Sequence, residues 1–187
     1  MSEKKALTVE ERLGSLDRDQ LEALVRRLLE HRPELEDVIQ LPLPGEQLQV
    51  DPALVTGQVR RILRNMGSDW QASYRAQFEL HPIVAVGDGY LERDLVDDAR
   101  GVYGAVAQAI IEVYEQIRDE ESELGGIVVD CAEGLGRCLE RTSDARHRER
   151  LLADLFAIYR WDELETGGYG IADPVREVLS AQASDDE

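Results

Sequence analysis

From residue 87 to residue 170 the chain sets apolar side chains at the three- and four-residue spacing of a helical face, one segment after another, with short acidic or polar breaks between segments. Faces of this kind leave water only by packing on each other. Leu91, Leu95, Val102, Val106, Ile110 and Val113 predict one long helix over 91–118. Leu124, Ile127, Cys131, Leu135 and Cys138 predict a second, and Leu151, Leu155 and Ile158 a third. Gly101 and Gly104, with Ala105, Ala107 and Ala109, form a small-residue seam that predicts close approach of a neighbouring helix. No stretch keeps a period-two alternation, so the expected class is all-α.

The residues before this block follow the same logic. Thr8 is placed to cap a short helix. Asp17 and Gln20 form a capping box ahead of a helix with Leu21, Leu24, Val25, Leu28 and Leu29 on one face. Pro33 ends that helix near His31-Arg32 and suits the first turn of the next. Residues 1–41 therefore read as a helical hairpin and 42–50 as a Pro/Gly linker. Asp51-Pro52, an N-cap followed by proline, opens a helical domain over 51–182, and 183–187 are a disordered acidic tail. Inside the domain, Gly67 is expected to end the first helix, with Ser68 or Asp69 capping the next. His81-Pro82 is expected to kink or break that next helix, and Gly87-Asp88-Gly89 to form a turn. Trp70, Tyr74 and Phe78 are expected in the core. Thr142 or Ser143 is expected to cap the third helix of the block, and Asp173-Pro174 to open a last short helix.

Charge is uneven along the chain. The net is −18, with 14 acids against 11 bases in residues 1–87 and 25 against 10 in residues 88–187. The field of the second half repels a phosphate backbone, so nucleic acid is an unlikely partner and any such contact belongs to the first half. No apolar run approaches the ~18 residues that span a bilayer. Two lysines at the N-terminus with no apolar region after them do not make a secretory signal. The expectation is a cytoplasmic protein without membrane contact.

Motifs of catalysis are not legible. His31, His81 and His147 are scattered, and Cys131 and Cys138 lie two helical turns apart, too far for a disulfide, so both read as small buried apolar residues. Gly87-Asp88-Gly89 lacks the surroundings of a phosphate loop. Asp119, Glu120, Glu121 and Glu123 lack the alternation of a calcium loop and suit a negatively charged helix start. No cofactor, metal or catalytic residue is expected. The basic feature is a helix face with Arg60, Arg61 and Arg64. Its plain reading is pairing with acids of the same chain, and its sharper one is a contact surface with Trp70 beside it.

Asp51-Pro52 with the VRRILR helix, the Gly-Asp-Gly element, YEQIRDEESELGG and IYRWDELETGGYG together resemble the helical region that follows the zinc finger in SWIM zinc finger proteins. The likeness covers roughly residues 50–180. The Cys-x-Cys and Cys-x-His pairs of the finger are absent, so no zinc ligands carry over. The resemblance implies a tetratricopeptide-like stack of antiparallel helices, an architecture that serves as an interaction surface. The expected function is a non-enzymatic scaffold or adaptor that binds a protein partner through Arg60, Arg61, Arg64 and Trp70. The alternative is a nucleic-acid-associated regulator using the arginine face. The N-terminal hairpin is a candidate element for homo-oligomer formation.

Overall fold

The computed structural model describes residues 8–33, 35–40, 50–69, 71–117, 119, 121–166, 176 and 180. These residues are helical apart from turns, with no strand among them. Trp70, the linker except Val50, the GGYG segment and the tail 183–187 lie outside the described residues. Of the expected last helix, only Arg176 and Ser180 are described, both helical. The chain divides into two compact units, residues 1–40 and 41–187.

The first unit holds α1 (Val9–Gly14), α2 (Arg18–His31) and α3 (Leu35–Gln40). Thr8 and Asp17 each close a capping box, with Glu11 and Gln20 reaching back to the cap amides. These side chains satisfy amide donors that a helix start leaves without partners. No residue of α1 or α2 is buried.

The second unit holds α4 (Pro52–Asn65), α5 (Ala72–Leu91), α6 (Val96–Ile111), a 3-10 turn at Tyr114–Gln116, α7 (Glu123–Arg141), α8 (Ala145–Trp161) and a π turn at Asp162–Thr166. Asp51 caps α4 through the Ala53 amide at 2.9 Å, with Pro52 in the first turn. Gly67 follows with φ +87°, a left-handed backbone that glycine adopts at little cost. Asp69 then accepts from the Gln71 amide and holds the Arg75 guanidinium with both oxygens, which keeps its carboxyl below the ordinary range. Arg75 also donates to the Met66 carbonyl at 2.8 Å, so one clip closes the α4–α5 turn.

α6 is the centre of this unit and packs on α4, α5, α7 and α8. Ala99, Val102, Tyr103, Val106, Ala109 and Ile110 are wholly out of water. Cys131 and Cys138 are buried free thiols, as expected, and burial pushes Cys138 up to about 12. The small-residue seam does receive neighbours: a Cβ at Gly101 would lie 3.6 Å from Pro52 of α4, and one at Gly104 3.5 Å from Asp154 of α8. Beside Gly104, Arg100 pairs with Asp154 at 2.8 Å, although burial still raises the Asp154 carboxyl.

Five expectations are corrected. α5 runs unbroken through Pro82 and through Gly87-Asp88-Gly89, and the turn falls at 92–95, after which α6 begins at Val96. An interior proline costs about 3 kcal/mol, but burial of Leu80, Ile83 and Val84 at about 1.5–3 kcal/mol each outweighs it. At the true turn, Asp94 takes φ 58° and Arg141 donates to the Leu91 carbonyl, one of the acceptors a helix end leaves open. The long helix expected over 91–118 therefore starts later, and it ends at Ile111. Tyr74 and Phe78 are half exposed and meet each other edge to face at 4.8 Å rather than entering the core, because the buried stripe of α5 follows Ala76, Leu80 and Ile83. Asp144, not Thr142 or Ser143, caps α8, accepting from the His147 amide at 2.9 Å.

Candidate functional site

Arg60 and Arg64 stand one turn apart on α4, so both guanidinium stems leave the helix on one side. They edge a groove of about 560 Å³ between the C-terminal half of α4 and the segment that follows α6. Leu63, Met66, Val113 and Ile117 supply its apolar lining. Leu63 is nearly buried and the other three are half-buried, so the lining is partly presented to water. Arg60 pairs with Glu112, in line with arginines meeting acids of the same chain. Arg64 donates from Nε to the Arg60 carbonyl at 3.2 Å, which ties its stem along the helix. Arg61 is exposed on α4 and does not line the groove. Of the four sequence-derived contact residues, the groove unites Arg60 and Arg64. Val113 and Ile117 were legible only as helix-face residues, since nothing in the sequence tells which helix end they adjoin.

A second polar cluster was missed by sequence reasoning altogether. The Tyr103 ring, wholly buried on α6, passes between α5 and α7 at two glycines. A Cβ at either Gly87 or Gly134 would stand 2.6 Å from the ring, closer than real atoms approach. The phenol emerges on the far side and donates to Asp88 at 2.7 Å. Arg137 of α7 donates to the same Asp88 oxygen, also at 2.7 Å. Burial, then the hydrogen bond to Asp88, raise the Tyr103 hydroxyl well above the ordinary tyrosine range, so at neutral pH it is a neutral donor.

Around this anchor lies a cleft of about 520 Å³ with His81, Asp130 and Glu133 on its walls. Asp130 sits 3.9 Å from His81, and burial lifts its carboxyl despite that neighbour. The signal available in the sequence was Gly134 inside the apolar run of α7, whereas Gly87 read as part of a turn.

The acidic break before α7 acts through Asp119. Its Oδ2 accepts from the amides of Leu124 and Gly125 at 3.1 and 3.0 Å and from the Tyr114 hydroxyl at 3.1 Å. This is the negatively charged helix start expected there, placed to satisfy the first donors of α7. Among the described residues, no group of three or more His, Cys, Asp or Glu side chains is placed to hold a metal, and no helix is long and apolar enough to cross a membrane. Compared with known proteins, the chain matches no protein family, no curated protein and no solved structure.

Proposed function

We propose that the chain is a non-enzymatic helical scaffold or adaptor that binds another protein, with a segment of that partner seated in the Arg60/Arg64 groove. One observation carries the reading: the groove joins an apolar floor to two guanidinium groups at its edge. A floor of this kind desolvates an anchoring side chain, and arginine orients a carboxylate beside it. The matching ligand is an apolar anchor with an acidic neighbour that meets Arg64 or competes with Glu112 for Arg60. The wider proposal includes a tetratricopeptide-like stack of antiparallel helices, kinship with the helical region of SWIM zinc finger proteins, and work in the cytoplasm. Trp70, proposed for the contact surface from the sequence alone, lies outside the described residues.

The test uses peptides selected from a random display library on the full chain, measured by fluorescence anisotropy. Enrichment of Leu, Phe or Met flanked by Asp or Glu is expected. The double variant Arg60→Glu/Arg64→Glu should weaken them by about tenfold or more, or roughly 1.4 kcal/mol. Peptides without acidic bias, or affinities indifferent to the reversal, overturn the reading. Retention of duplex DNA at about 50 mM salt, released steeply as salt rises, would favour the nucleic-acid regulator instead.

A further inference from the structure

The two arginines at the edge of the groove are in different states, although one turn of one helix separates them. The Arg60 guanidinium is bound to the Glu112 carboxylate. Arg64 spends its Nε on the Arg60 carbonyl at 3.2 Å, and its head group meets no carboxylate among the described residues. Both side chains are exposed. The apolar lining therefore has beside it one arginine already occupied by an acid of this chain and one that is open.

Glu112 is not part of the lining, but the next residue, Val113, is. Glu112 caps the C-terminal end of α6, where the helix dipole is negative and disfavours a carboxylate. Arg60 supplies the positive group that holds it there. Arg60 and Glu112 are 49 and 40 % exposed, so water and salt screen the pair and it holds weakly. A weakly held internal carboxylate marks where an outside carboxylate can bind. It also stands in the way, since the newcomer must displace it to reach Arg60.

We infer that Glu112 is an autoinhibitory contact of the groove, a role that rests on the groove's binding of an acidic partner. It holds Arg60 closed to ligand carboxylates while Arg64 receives them. A carboxylate that meets Arg64 alone leaves the tie between α4 and the end of α6 intact. One that takes Arg60 as well displaces Glu112 and opens that tie, so part of the attraction is spent against the chain's own acid.

The test measures two peptides on the full chain by fluorescence anisotropy: an acidic one recovered by display, and the same peptide with Asn and Gln in place of its acids. Glu112→Gln should tighten the acidic peptide by about two- to fivefold, the range over which an exposed ion pair competes, and leave the amide peptide unchanged. Glu112→Ala, which leaves Arg60 no acceptor at that position, should repeat the gain, and melting followed by circular dichroism checks that each variant is folded. Glu115→Gln removes an equal charge from the same segment, exposed and outside the lining, and should change the affinity little. In an Arg60→Gln background Glu112→Gln should gain less, because no guanidinium remains to be freed. An affinity unmoved or weakened by Glu112→Gln, an equal gain from Glu115→Gln, or an equal gain in the Arg60→Gln background would each overturn the autoinhibitory role and leave the groove's binding role standing. No acidic peptide held by either the wild-type chain or Glu112→Gln would overturn both.

Discussion

The two units of this chain are built from helices of similar quality at their ends and of opposite quality along their faces. α2 and α4 each have fourteen residues and a well-made N-terminus, Asp17 capping one and Asp51 the other. α4 buries Val55, Val59, Ile62 and Leu63, whereas α2 buries nothing. Local chemistry specifies where a helix begins and ends in both units. What differs is how far the apolar face is buried among the described residues, and most helical stability in proteins comes from such packing.

The contrast is sharpest at Tyr103 and Leu28, and substitution there should give the largest difference. Tyr103→Ala removes a wholly buried ring and should cost about 3–5 kcal/mol in urea unfolding, as large aromatic deletions do. Leu28→Ala should stay within about 0.5 kcal/mol, as surface changes do. Equal losses at the two positions would erase the distinction between the units.

Next in size is Gly134→Ala. The new methyl would meet the Tyr103 ring at 2.6 Å, and overpacking of this kind costs about 1–3 kcal/mol. Better helix propensity returns about 1 kcal/mol, so a net loss is expected. Gly126→Ala on the same helix, where a Cβ meets nothing within 4 Å, should gain stability instead. A gain at both positions would show that the ring is not clasped.

Alkaline titration comes third. Burial raises the hydroxyls of Tyr103 and Tyr114 above their ordinary value near 10. The folded chain therefore keeps protons that the unfolded chain has released. Their contribution is fully present below pH 10 and is lost as pH rises beyond it, by up to about 1.4 kcal/mol per pH unit for each fully buried hydroxyl. Tyr103→Phe should flatten this slope and leave Tyr114's share. A slope unchanged by that variant would mean Tyr103 titrates as in water. The smallest effect is Tyr103→Phe at neutral pH, which deletes one hydrogen bond to Asp88 and should cost about 0.5–1.5 kcal/mol.

Caps, apolar periodicity and the all-α class were legible because each depends on neighbours within about four residues. Thr8, Asp17 and Asp51 cap where the sequence placed them. The α8 cap was a local miss, Asp144 standing one or two residues past the expected position, and the other misread positions depend on distant residues. Gly87-Asp88-Gly89 has the local chemistry of a turn, yet it lies inside α5, where Gly87 leaves the room that the Tyr103 ring, sixteen residues beyond, occupies. Pro82 likewise sits inside a helix whose buried face outweighs its local penalty. Tyr74 and Phe78 share a spacing that suits a core, but only the packing of α6 and α7 on α5 decides which stripe is inside. At the candidate site the same division holds. The i, i+4 placement of Arg60 and Arg64 was readable, and the apolar wall from Val113 and Ile117 was not.

The central claim is that the second unit holds its order by burial of apolar faces that α2 lacks. Amide hydrogen exchange along the whole chain tests it most directly. The account predicts strong protection in α6 around Tyr103, where six residues are wholly out of water. It predicts protection in α2 at least tenfold weaker, about 1.4 kcal/mol less stability against opening. Protection of α2 equal to that of α6 would contradict it.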